Sequence, residues 1–259
     1  MIHRVASIAW HTLKESVRER VLYNLVVFAF LMFGAAILVG SISVGIEHII
    51  IVNLGLSSIS VFGLLMAIFI GITLVWKEIE KRTIFSILAK PVRRWEFVLG
   101  KYSGLMLTLF VNTSVMTVGF YLALLYAKRT LEWSDLIVFQ AVYFIFLQLA
   151  LVVGIALFFS CTSTPVLSAV FTFCLYVIGN LLTDIRWFGQ ETGGALVQGL
   201  TTALYYLLPN FANMNVISQT AHGHAVPGYL VVANTLYTLL YLSVVLSATI
   251  VVFERREFK

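Results

Sequence analysis

The sequence predicts an all-α membrane protein. Its plan is six transmembrane helices, an N-terminal amphipathic interfacial helix, a short cytoplasmic helix and an extracytoplasmic re-entrant helical segment. Three observations predict it. Of 259 residues, 60% are hydrophobic and only 11% charged, where a soluble domain is about half apolar and a quarter charged. Six apolar runs each approach the roughly 20 residues a helix needs to cross the hydrocarbon core. Ten charged residues crowd into one island between the second and third runs, from Lys77 to Lys101.

The runs are Val21 to Gly45, Leu54 to Trp76, Tyr102 to Ala127, Leu136 to Ser160, Val166 to Thr183 and Tyr229 to Phe253. Lipid offers no partner to a backbone N–H or C=O, so each should be helix. No internal repeat and no Pro-, Gly- or Ser-rich linker divides the chain, so residues 1–259 read as one transmembrane domain with no room for a separate soluble one.

Residues 1–20 carry helical periodicity. Ile2, Val5, Ala6, Ala9, Leu13 and Val17 share one face, and Arg4, His11, Lys14 and Arg18 the opposite one. That pattern predicts a helix lying along a leaflet. A cleaved signal peptide fits poorly, because the charged part is too long and the apolar run after it is a full span.

Orientation follows from Lys and Arg. Arg4, Lys14, Arg18, Arg20, the seven basic residues of the island, Arg255, Arg256 and Lys259 fall on one side; Lys128, Arg129 and Arg186 fall on the other. The positive-inside rule places both termini and the island in the cytoplasm. The cytoplasmic (inner) membrane of a prokaryote is the expected location. The net charge of +5 sits beside spans, where anionic lipid of the bilayer or a partner is the counterpart, and no nucleic acid is implied.

Residues 184–228 form the one long extracytoplasmic segment. Within it, Ala195 to Leu208 is apolar but about 14 residues long, reaching roughly 21 Å against a core of about 30 Å. Pro209 and Asn210 then stop it. Two readings stand: a helix that enters the outer leaflet and returns, and a surface helix packed on the bundle.

The runs hold no Asp, Glu, Lys, Arg or His at membrane depth, which disfavours an ion-coupled transporter or an intramembrane enzyme. Their polar residues are neutral: Asn24, Asn112, Gln140, Gln148, Asn180 and Asn234, each read as a helix-to-helix hydrogen bond. There is no phosphate-cradling loop and no nucleophile elbow. No catalytic residue is predicted, and energy for any work comes from a partner. Cys161 and Cys174 fall in apolar sequence and read as two small buried residues. Glu47, His48, His222 and His224 flank spans, and imidazole suits zinc or copper; four side chains on loops of unknown geometry do not make a predicted metal site. Gly63, Ala67 and Gly71 are four apart on the second run, a spacing that lets helices approach closely, within one subunit or between two.

In the island, Thr83 to Lys90 predicts a short helix with Ile84, Ile87 and Leu88 on one stripe, ended at Pro91. It reads either as a docking element or as an ordinary basic loop obeying the positive-inside rule.

Trp76 to Tyr102, W-K-E-I-E-K-R-T-I-F-S-I-L-A-K-P-V-R-R-W-E-F-V-L-G-K-Y, resembles the cytoplasmic loop of type-2 ABC-transporter permeases. Leu54 to Phe69 resembles that family's second span, and Leu207 to Phe211 (L-L-P-N-F) the end of its outer re-entrant segment. The branch it most resembles includes the permease linked to copper-site maturation of nitrous oxide reductase. The resemblance implies a non-catalytic subunit of an exporter. It pairs with a second permease copy, as a homodimer or with a close relative, and with two ABC ATPase subunits that hold the ATP and Mg. Residues 77–101 would be the coupling region. The ATPase-docking residues implied are Glu78, Glu80, Lys81, Arg82, Thr83, Ile84, Ser86, Leu88, Lys90, Pro91, Arg93 and Arg94. The first, second and fifth spans would line the dimer interface and the translocation route, with Gly63, Ala67 and Gly71 among their residues. The runner-up is a membrane anchor that passes ATPase motion to an extracytoplasmic protein without moving cargo. The greasy lining of the spans favours lipid-like cargo or none.

Overall fold

The structure is a computed structural model that describes residues 2–43, 45–80, 94–129, 133–192 and 194–255, with residues 2, 4, 74–80, 94, 133, 134, 192 and 255 described by their backbone alone. Among the described residues there are nine α-helices and no strand. They are α1 (Ile2–Val17), α2 (Arg20–Ile42), α3 (Glu47–Glu80), α4 (Arg94–Lys128), α5 (Ile137–Thr162), α6 (Pro165–Thr192), α7 (Ala195–Leu207), α8 (Ile217–Ala221) and α9 (Gly228–Arg255). Two 3₁₀ turns, Trp133–Leu136 and Ala212–Met214, lie between them. Helices α2, α3, α4, α5, α6 and α9 are long and apolar enough to cross a membrane.

Helix α5 is the axis of the bundle, buried along most of its apolar length; α2, α6 and α9 sit at the edge and are mostly exposed. Helix α3 packs along α5 most extensively, and α9 covers another side of α5. The core between α3 and α5 is aliphatic: Val52, Leu56, Ile59, Met66, Leu151, Val152 and Val153 are all fully buried. Each such side chain contributes roughly 1.5–3 kcal/mol when removed from water, and less when removed from lipid.

Several expectations are corrected by where the helices end. The second and third spans belong to helices of 34 and 35 residues, which start at Glu47 and Arg94 rather than at Leu54 and Tyr102. Glu47 and His48 therefore occupy the first turn of α3, not a loop. The fifth span runs on to Thr192, so the first part of the 184–228 segment is helix. Cys161 is buried, but Cys174 is exposed on α6, because that edge helix turns most of its surface away from the chain.

The Gly63, Ala67, Gly71 stripe faces into the bundle. A Cβ at Gly63 would lie 2.7 Å from Leu149 Cδ1, and one at Gly71 2.8 Å from Ala156 Cβ. Ala67 is fully buried. The stripe is thus the seam along which α3 meets α5 of the same chain.

Candidate functional site

The two ends of the bundle carry its polar chemistry. At the island end, α1 is clamped onto the start of α4. A Cβ at Gly100 would meet Ile8 Cβ at 2.8 Å, and one at Gly104 would meet Thr12 Cβ at 2.6 Å. Only glycines at this spacing let the backbones come so close. The face of α1 that packs on the chain is offset from the apolar face assigned to the leaflet. It runs through Val5, Ile8, Ala9, Thr12 and Ser16, while Ala6 and Val17 are exposed. Hydroxyl residues are tolerated there because Thr12 Oγ1 donates to the Ile8 carbonyl of its own helix at 2.9 Å. Ser16 Oγ is buried with no hydrogen-bond partner among the described residues. Trp10 points away, with Lys14 Nζ 5.4 Å from its ring centre.

Lys101, the last residue of the island, is 2% exposed. Its ammonium lies 3.8 Å from Glu15 on α1, joining the two helices by charge as well as by shape. The sequence reading did not foresee this burial. The available signal was Gly100-Lys101 followed by Gly104, a charge set inside a small-residue stripe.

Residues 81–93, and with them the predicted helix from Thr83 to Lys90 and the break at Pro91, lie outside the described residues. So do the side chains of Glu78, Glu80 and Arg94. The backbone places Glu80 at the last turn of α3 and Arg94 at the first turn of α4.

At the opposite end, Asp135 is 1% exposed. Its carboxylate takes Lys128 Nζ at 2.9 Å, and its carbonyl accepts from Tyr121 Oη at 2.8 Å. His48 Nε2 lies 3.9 Å from the same carboxylate. The pair ties the start of α3, the end of α4 and the turn before α5 together. Glu47, His48 and Lys128 line an adjoining cleft of about 490 Å³. Among the described residues, no three His, Cys, Asp or Glu side chains come together as a metal site; His222 and His224 are exposed around the end of α8.

The same end is closed by the segment after α6. Helix α7 runs back along α6: Arg186 lies 4.4 Å over the Tyr205 ring, and a Cβ at Gly189 would collide with Thr201. The chain then reaches Gly179, whose carbonyl accepts from Phe211 N at 3.0 Å. A Cβ on Gly179 would sit 2.5 Å from the Pro209 carbonyl oxygen, so the contact requires glycine. Phe211 is fully buried beside Tyr176, 5.3 Å between ring centres. Asn210 N donates to Tyr237 Oη of α9 at 3.0 Å, and Val226 N to Gln140 Oε1 of α5 at 2.9 Å. Gln140, expected to bond between helices, instead holds this returning chain. Gln148 does bond between helices, donating to Tyr176 Oη at 3.3 Å. Asn112, Asn180 and Asn234 each donate to a carbonyl four residues back.

Residues 6–258 match the family described as ABC-2 family transporter protein, which is nearly the whole chain. No curated protein matches the chain.

Proposed function

The chain belongs to the ABC-2 transporter family and is a multi-pass membrane subunit that works with ABC ATPase partners, and on that premise we propose that it is the non-catalytic, translocating half of an ATP-driven exporter. In this reading both termini and the island face the cytoplasm of a prokaryote, and two ATPase subunits carry the ATP and Mg. The island receives their stroke, with Glu78, Glu80, Lys81, Arg82, Arg93 and Arg94 as the charged contacts and Ile84, Leu88 and Pro91 shaping the apolar side.

One observation carries the proposal. Helices α3 and α4, of 34 and 35 residues, are about 51 and 52 Å long at 1.5 Å per residue. The hydrocarbon core is only about 30 Å thick. Both helices reach into the island, α3 through Glu80 and α4 from Arg94, the second braced by α1 through Gly100, Gly104 and the Glu15–Lys101 pair. A push on the island is then delivered along rigid helices to α5 at the centre of the bundle.

A second copy completes the route. The outward faces of α2 and α6, with Phe28, Leu31 and Leu38 on one and Val170, Phe173 and Val177 on the other, are offered to it. The α3 stripe is already occupied. Helix α7 enters the outer leaflet and returns.

Replacing Glu80, Arg82 and Arg94 together by Ala tests the docking. Loss of a co-purifying ATPase with normal membrane insertion is the expected result; unchanged recovery refutes it. A reporter fused after Lys259 reads the topology, with cytoplasmic activity expected and extracytoplasmic activity contrary to six spans.

A further inference from the structure

The end of the bundle away from the island holds a cleft that the transport reading does not use. About 540 Å³ in volume, it lies between the 3₁₀ turn at Ala212–Met214, α8 and the first turns of α9. That size falls within the roughly 300–1,000 Å³ of small-molecule sites. Its polar wall is made of carboxamides and one phenol: Asn213, Asn215, Gln219, Asn234 and Tyr237, with Phe144 behind them. No residue lining it is acidic or basic. Asn213, Asn215 and Gln219 commit no side-chain hydrogen bond within the described residues. Asn234 gives one amide proton to the Leu230 carbonyl and keeps its oxygen. Tyr237 Oη accepts from Asn210 N and keeps its own proton to donate. Behind this wall Asn210, 4% exposed, has its Nδ2 buried without a hydrogen-bond partner among the described residues, while its Oδ1 accepts from Asn213 N at 3.4 Å.

We propose that this cleft binds a sugar ring. A carboxamide presents two donors and an acceptor together, which matches neighbouring hydroxyls that each give and take a proton. The ring of Tyr237 supplies an apolar surface for the C–H face of such a ligand. A phosphate or carboxylate would enter a site with no cation to pair it and would lose its hydration uncompensated, so anionic head groups are selected against. A free sugar and the head group of a neutral glycolipid present the same chemistry. The site is independent of the island, and its occupancy is read without ATP.

The test uses the full chain in phosphatidylcholine nanodiscs containing either monoglucosyl diacylglycerol or phosphatidylglycerol, with methyl glucoside in solution as a third arm. Native mass spectrometry reads retained lipid, and thermal shift reads the soluble sugar. The glycolipid arm should be retained about tenfold over phosphatidylglycerol, or methyl glucoside should raise the melting temperature; whichever responds identifies the source. Gln219→Leu with Asn234→Leu should remove about tenfold in affinity. Asn215→Ala, at an exposed residue whose side chain makes no hydrogen bond among the described residues, should remove about threefold. Better retention of phosphatidylglycerol than of the glycolipid, no response to either sugar probe, or a response that Asn215→Ala and the double variant both leave intact overturns the proposal.

Discussion

The island end and the opposite end of the bundle are held together by different physics. At the island end, α3 and α4 are helices longer than the lipid core is thick, and α4 is steadied by a glycine seam, Gly100 and Gly104 against Ile8 and Thr12, with a long charge pair between Glu15 and Lys101. At the other end the chain folds back into its own bundle and closes on short bonds: Lys128 to Asp135, Asn210 to Tyr237, Phe211 to Gly179. The first arrangement joins α1 to α4 through close backbone approach, and the second makes a cap. On the function proposed above, mechanical work enters at the island end.

Breaking each end separately should therefore give different defects. The largest effect is expected from Gly104→Leu. Its side chain must displace Thr12 and the Ala9 carbonyl, at about 3 kcal/mol, the upper part of the range for overpacking. Hydrogen exchange should show α1 losing protection while residues 209–221 keep theirs; uniform loss would mean that the ends are not independent. Next is Asp135→Asn, which leaves Lys128 without its counter-charge. A fully buried pair broken this way loses about 3–5 kcal/mol; Lys128 is 24% exposed, so about 2 kcal/mol is expected, read as a lower melting temperature with α1 protection unchanged. Tyr237→Phe strands the Asn210 N–H and should lower stability by about 1 kcal/mol, with faster exchange confined to residues 209–216. Smallest is Glu15→Gln, below about 0.5 kcal/mol, because Glu15 is 32% exposed and the pair is long. A large loss from Glu15→Gln would show that charge rather than the glycine seam holds α1.

The six spans were legible in the sequence because hydropathy measures the thickness of lipid that a helix crosses. For the same reason the helix ends were not. Glu47, Lys77, Glu78, Glu80, Arg94, Glu96 and Lys101 are charged, so a hydropathy reading stops before them, yet the helices run on through them. Periodicity showed that Gly63, Ala67 and Gly71 share a face, but not that Leu149 and Ala156 of the same chain fill it. Asp135 escaped notice because its partner Lys128 is seven residues away across a turn, a spacing that belongs to no regular element. On α1 the apolar pattern pointed to a leaflet and left the face that packs on α4 unmarked. Thr12 and Ser16 look polar in sequence, whereas Thr12 satisfies its hydroxyl on its own backbone and packs as a small residue. The returning segment was legible as too short to cross and stopped by Pro209; its anchorage on Gly179 was not, since a backbone-to-backbone bond leaves no mark in side-chain pattern.

Site-directed cross-linking to the ATPase tests most directly which end takes the input. With Cys161 and Cys174 replaced by Ala, single cysteines at Ser86 in the island and at Gly194 and Gly223 at the opposite end would be compared in membranes containing the ATPase subunits. A short bifunctional reagent should join Ser86→Cys to an ATPase subunit and leave Gly194→Cys and Gly223→Cys unlinked to it. Cross-linking from either of the latter, or none from Ser86→Cys when the complex is intact, would contradict the assignment.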